Sequence, residues 1–194
     1  MKHIKDFSDI TKKDVNLAGG KGASLGEMTK AGFNVPPGFV VIADAFDRFL
    51  DETDLIVEVG AALDEVDKEV MHTIENASEK IQALINNTEI PKDIADEIVE
   101  EFNSLGTKFV AVRSSATAED SARAAWAGQL DTFLNTTKKD LLENVRKCWA
   151  SLFTPRAIFY RFEKGLHGEK ISVAVVVQKM IEPEVSGIGF SVHP

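Results

Sequence analysis

Val112-Arg113-Ser114-Ser115-Ala116-Thr117-Ala118-Glu119-Asp120 leaves the apolar segment Phe109-Val110-Ala111-Val112 and runs through small residues to Gly128-Gln129. Small side chains let backbone N–H groups approach a phosphate closely, and the Arg113 guanidinium presents several donors in one plane. The stretch reads as a strand followed by a polar connection, and its chemistry points to a nucleotide phosphate site. A surface salt bridge from Arg113 to Glu119 or Asp120 accounts for the same residues equally well at this level.

Further elements surround this stretch. Leu130 to Leu134 alternates like a strand, and Ile171 to Val177 is strongly apolar and β-branched, as is Phe39 to Ala43 after the stiff turn Asn34-Val35-Pro36-Pro37-Gly38. Helices are expected over Lys21 to Ala31, with Ala23, Leu25, Met28 and Ala31 inward and Gly32 as a stop, and over Ala43 to Leu50. An acidic helical region fills about 50–105, its last helix opened by Pro91 and its carboxylates facing water. Thr137 is the expected N-cap of a helix carrying Leu141, Leu142, Val145, Trp149 and Leu152, and a second helix follows Pro155. Glu182-Pro183-Glu184 reads as a turn and Gly187 to Val192 as a closing strand. A strand that ends so near the last residue suggests a chain cut inside a larger fold.

The 194 residues, 44% hydrophobic and 27% charged, suffice for one sizeable domain or two small ones. A formal charge of −9 argues against a sequence-independent nucleic-acid binder, because such proteins gain affinity by neutralising phosphates with basic residues. An anionic ligand must be met by local cations. Cys148 is the one cysteine, which excludes an internal disulfide and fits a reducing compartment, so a cytoplasmic location is expected. Met1-Lys2-His3-Ile4-Lys5-Asp6 lacks the apolar core of a signal peptide, and no run approaches a membrane span.

A second anion candidate is Leu17-Ala18-Gly19-Gly20-Lys21-Gly22-Ala23-Ser24-Leu25-Gly26. It is not a Walker loop, since Gly22 follows Lys21 and Val15 stands where a glycine is needed, and it misses G-x-G-x-x-G by one residue. What it keeps is a glycine-rich helix start, where unpaired N–H groups meet the positive end of the dipole and Lys21 adds a point charge. Simple turn chemistry is the competing reading.

Together these segments resemble the N-terminal nucleotide-binding domain shared by phosphoenolpyruvate synthase, pyruvate phosphate dikinase and rifampin phosphotransferase. The resemblance rests on Gly-Gly-Lys-Gly-Ala-Ser-Leu-Gly-Glu-Met with Pro-Pro-Gly-Phe after it, on Val-Arg-Ser-Ser-Ala-Thr-Ala-Glu-Asp through Ala-Gly-Gln, and on the closing Val-Ser-Gly-Ile-Gly-Phe-Ser-Val-His-Pro. It implies an α/β fold of the α+β kind, the first subdomain of an ATP-grasp with an inserted helical region, and places all of 1–194 in that N-terminal part. It further implies ATP and Mg²⁺ as ligands, with metal ligands beyond Pro194 and none in this chain, and pyruvate as acceptor in the full-length enzyme.

Carried over residue by residue, Lys21 and Arg113 resemble the family's phosphate-binding cations. Gly128 allows close backbone approach, Thr132 and Leu134 line the nucleotide pocket, and Gln178 matches a contact to the adenine edge. Ser114, Ser115 and Thr117 are supporting phosphate contacts. Ser121-Ala122 departs from the Leu-Pro that relatives often carry after the Glu-Asp pair. The family's phosphohistidine lies on a separate swivelling domain, so none of His3, His72, His167 and His193 is assigned that role and no catalytic residue is assigned here. Trp126 is read as a loop anchor, and Glu119 and Asp120 as indirect Mg²⁺ partners. Two other functions compete: an antibiotic phosphotransferase with the same nucleotide domain, and a noncatalytic interaction module docking a partner through its acidic helices.

Overall fold

The computed structural model describes residues 2–117, 131–166 and 172–188, and every structural statement below concerns those residues. Five strands, β1 (Ile4–Asp6), β2 (Gly38–Val41), β3 (Val110–Ala116), β4 (Thr132–Thr136) and β5 (Val173–Lys179), form one sheet in the order β1-β2-β5-β3-β4. All pairings are antiparallel. The last strand in sequence sits at the centre, which is why it is an almost uninterrupted valine run: both of its faces are covered.

Strand alternation divides the sheet into two faces. Val112 and Val177 pair across β3 and β5, as do Ala116 and Val173, and all four belong to a large core with Phe39 and Val41 of β2. Against this face pack α2 (Ala43–Glu52), α3 (Leu55–Asp64), α4 (Met71–Asn87), α5 (Lys92–Ser104), α6 (Leu141–Ala150) and α7 (Pro155–Glu163). Trp149 anchors the layer, fully buried, with ring centroids 5.0 Å from Phe49 and 5.6 Å from Phe46. The acidic region near 50–105 shares this core with the sheet: Ile74, Ile81, Ile85, Ile94 and Ile98 are wholly buried at helical spacing while the intervening carboxylates face water.

The opposite face carries one helix, α1 (Val15–Lys30), over a smaller core of Phe7, Ile10, Ala18, Leu25, Val40, Ile42, Ala174 and Val176. A capping box of Thr11 and Asp14 leads into α1, with the Asp14 carboxylate accepting from the Thr11 N–H at 2.8 Å and its hydroxyl at 2.7 Å. The helix breaks at Gly19, whose φ of 67° and ψ of 172° suit glycine alone, and resumes at Gly20.

Most expected elements are present, with instructive shifts. Arg113, Ser114, Ser115 and Ala116 lie within β3 itself, not in a connection after it, because pairing with β5 continues to Ala116↔Val173. Met28 is 39% exposed and Ala31 is exposed, correcting their assignment as inward residues: α1 ends beyond the edge of the small core it covers. Asp140, not Thr137, stands at the N-cap of α6, and the Thr137 hydroxyl donates to the Asp140 carboxylate at 2.6 Å. Pro91 precedes α5 and Pro155 opens α7 as expected, with Thr154 Oγ1 accepting from the Ala157 N–H. Gly187 and Ile188 are not in a strand, and the remainder of that expected strand lies outside the described residues. The structure establishes a mixed α/β architecture on a five-stranded antiparallel sheet.

Candidate functional site

Strand register decides which of the expected residues meet. Arg113 of β3 pairs with Val176 of β5 and Thr132 of β4, so all three share a face, and Val176 belongs to the core beneath α1. Gln178 pairs with Ala111 and lies two residues along β5 on that same face. In β4 an extra residue enters between the Val112↔Phe133 and Val110↔Thr136 pairs, with Asn135 at a φ of 53°. Phe133 therefore packs on the large core, while Leu134 stands on the α1 side at 60% exposure beside exposed Thr132. Among the described residues α1 covers β2, β5 and part of β3, leaving the β4 edge of this face open.

Lys21 comes to the same face by a tertiary bond. The Ser115 hydroxyl oxygen accepts from the Lys21 N–H at 3.1 Å and the Gly22 N–H at 3.4 Å, across 94 and 93 positions of sequence. Helix N-termini normally find such a cap in the residue just before them. The residue before Gly20 is Gly19, which has no side chain, so a strand residue supplies the oxygen. The absence of any Ser, Thr, Asp or Asn among residues 17–20 was the one trace of this in the sequence. Contrary to the expectation for a glycine-rich helix start, the Lys21 and Gly22 N–H groups are thus occupied.

Lys21, Arg113, Thr132, Leu134, Gln178 and Ser115 are consequently gathered on one side of the sheet. Gln178 is oriented by its amide, which donates to the Pro36 carbonyl at 3.1 Å. Ser114 points the other way, toward the helical layer, 1% exposed, and its hydroxyl donates to the Asp131 carbonyl at 2.9 Å. Thr117 closes the end of β3, its hydroxyl donating to the Ser172 carbonyl at 3.0 Å. Gly128, Glu119, Asp120 and Trp126 lie outside the described residues, as do His167 and His193.

Other reactive side chains are engaged elsewhere. Cys148 is fully buried in α6, and burial pushes its thiol well up, away from the nucleophilic thiolate. His3 is buried between the Glu97 carboxylate and Arg48, which also pairs with Asp93 and Glu52 at 2.6 Å each. His72 is exposed on α4. Among the described residues no three His, Cys, Asp or Glu side chains converge on a common point. No described helix is long and apolar enough to cross a membrane.

Comparison with known proteins gives the family. Residues 15–194 match the family described as pyruvate phosphate dikinase, AMP/ATP-binding domain. The chain is 46% identical, over its full length, to a probable phosphoenolpyruvate synthase of Methanothermobacter thermautotrophicus, covering 29% of that protein. It is 37% identical over 98% of its length to the phosphoenolpyruvate synthase of Pyrococcus furiosus, covering 28%. It is 39% identical over 98% of its length to the rifampicin phosphotransferase of Bacillus cereus, covering 22%. The chain thus spans under a third of the length of these curated relatives. It belongs to the pyruvate phosphate dikinase AMP/ATP-binding domain family.

Proposed function

We propose, from that membership, that the chain is the ATP-holding wall of a phosphoenolpyruvate synthase, built as the first subdomain of an ATP-grasp. The reaction converts ATP, pyruvate and water into phosphoenolpyruvate, AMP and phosphate by way of a phosphohistidine on another domain. The observation that carries this reading is the register that sets Arg113 beside Thr132 and near Gln178, on the face to which Ser115 ties the Lys21 helix. Lys21 and Arg113 offset charge on the phosphates, an electrostatic contribution of the kind that dominates phosphoryl transfer. Thr132 and Leu134 supply the pocket wall, with Leu134 giving its exposed apolar surface to the nucleotide. Gln178 reads the adenine edge, Gly128 lets backbone approach the phosphates, and Thr117 supports the phosphate end of the strand. ATP-linked Mg²⁺ enters no step assigned to these residues. A cytoplasmic location follows from the same assignment.

Calorimetric titration with MgATP tests the site. Lys21→Ala and Arg113→Ala should each weaken binding about tenfold or more, the worth of a hydrogen bond to a charged group. Unchanged affinity in both contradicts the reading and favours an interaction module. The chain alone should make no phosphoenolpyruvate, and pyruvate-dependent AMP release by it would be contrary to this assignment.

Identity to the Bacillus cereus rifampicin phosphotransferase is as high as to the Pyrococcus furiosus enzyme, which supports a second reading with a drug as acceptor. AMP release by the whole protein that requires rifampicin and ignores pyruvate would establish that alternative.

A further inference from the structure

Ser115 has no exposed surface, yet it carries a hydroxyl in the middle of a paired strand. A buried hydroxyl in such a place is expected to have a partner, and here it has two: the Lys21 and Gly22 N–H groups at 3.1 and 3.4 Å. These are the second and third N–H groups of the helix segment that starts at Gly20, the pair an N-cap side chain ordinarily satisfies. They are also the pair that a bound anion would take at a helix N-terminus. The serine oxygen therefore stands where a phosphate oxygen would otherwise stand.

Gly19 shows that the contact is built closely. A Cβ added there would meet the Ser115 hydroxyl and carbonyl oxygen and lie 2.6 Å from its carbonyl carbon. The chain passes directly against the strand only because that position lacks a side chain, and its backbone conformation is one reserved to glycine. Ser115 is two residues from Arg113 on β3 and on the same face. One hydroxyl thus fixes the strand that bears one cation against the helix turn that bears the other.

We propose that Ser115 is a positioning residue for the nucleotide: it acts through Lys21, setting the place of that lysine relative to Arg113, and makes no phosphate contact itself. This rests on the assignment of Lys21 and Arg113 to ATP phosphates. Removing the hydroxyl takes this acceptor from the Lys21 and Gly22 N–H groups and frees the Gly20–Lys30 segment to shift, so the two cations no longer meet one polyphosphate together. Misplacement of this kind, without loss of either charge, is known to be costly wherever two groups must act on one substrate.

The test is a double-mutant cycle on the full chain, read by NMR titration with MgATP so that weak binding is measurable. Ser115→Ala should weaken MgATP binding by roughly tenfold, the equivalent of a lost cap. In a Lys21→Ala background the same change should cost less than about twofold, because coupled residues are not additive. Ser115→Thr, which keeps the hydroxyl, should restore most of the affinity. Ser78→Ala, which removes a buried hydroxyl bonded to the Phe153 carbonyl at 2.7 Å in the helical layer, should leave affinity unchanged. If Ser115→Ala does not fold, Ser115→Cys keeps the volume with a much weaker acceptor and enters the cycle in its place.

Additive losses for Ser115→Ala and Lys21→Ala, or an affinity unchanged or raised by Ser115→Ala alone, overturn the positioning role while leaving the nucleotide site intact. An affinity untouched by Lys21→Ala, or no saturable MgATP response in the unaltered chain, overturns the nucleotide site and this role with it.

Discussion

The two faces of the sheet are made from the same strands and do different work. On the helical side six helices bury an apolar core around Trp149, and the reactive side chains found there, such as Cys148, are sealed in it. On the α1 side one helix covers part of the sheet through Ala18, Leu25 and the close approach of Gly22 to Val40, and the gathered side chains are Lys21, Arg113, Thr132, Leu134 and Gln178. The period of two along a strand is what permits this. Val112 packs into the large core while its neighbour Arg113 faces the α1 side, and a shift of one residue in register would exchange them.

The division can be broken most forcefully at Gly19, where the start of α1 lies against β3. Gly19→Ala combines a backbone conformation suited only to glycine with a collision against the Ser115 backbone, and should cost about 3–5 kcal/mol of stability. Urea unfolding would measure it, and ATP affinity in any folded remainder should fall as well. Trp149→Ala attacks the helical side alone. It should remove about 3–5 kcal/mol by opening a cavity between Phe46 and Phe49, yet leave the MgATP affinity of the folded protein within about twofold.

Leu134→Ser should have the reverse profile. Its side chain is 60% exposed, so the unfolding midpoint should hardly move, within about 0.5 kcal/mol, while MgATP affinity falls several-fold if this residue lies under the nucleotide. A large loss of stability there would show that something covers β4 and would remove the contrast between the faces.

The smallest effect concerns pH. Hydrogen bonds from the Thr11 hydroxyl and N–H hold the Asp14 carboxyl below its ordinary range. A carboxyl whose pKa is lower in the folded state contributes stability above its unfolded pKa, and that contribution is lost as pH falls through the folded value. Asp14→Asn should therefore lower the unfolding midpoint near neutrality and converge with the unaltered chain in acid, once pH has fallen through the lowered carboxyl pKa. Equal differences at both pH values would mean that the capping box does not sense protonation.

Periodicity revealed the buried faces of α4 and α5, and Pro91 and Pro155 marked helix starts, because these are local rules acting on adjacent residues. The candidate site came from the family resemblance: of the residues it implies, Lys21, Arg113, Thr132, Leu134 and Gln178 reach one face, while Ser114 turns to the other. What remained hidden was non-local. β3 extends through Arg113 to Ala116 because β5, some 60 residues later, offers partners for every one of them, and polar small residues give no hint of that. Met28 departs from the expected inward face because helical spacing defines a face but not how far the opposing surface extends. The resemblance implies Ser115 as a supporting phosphate contact. Only the fold brings it under the Lys21 turn, where its hydroxyl is occupied by the backbone.

The proposed site requires ATP to bind on the α1 face and not among the helices. Backbone amide shifts recorded on an isotope-labelled chain during MgATP titration test it directly. Saturable shifts are expected at Lys21, Gly22, Arg113, Thr132, Leu134 and Gln178, with residues of α4 and α5 unmoved. Shifts centred on α4 and α5, with Lys21 and Arg113 silent, would contradict it.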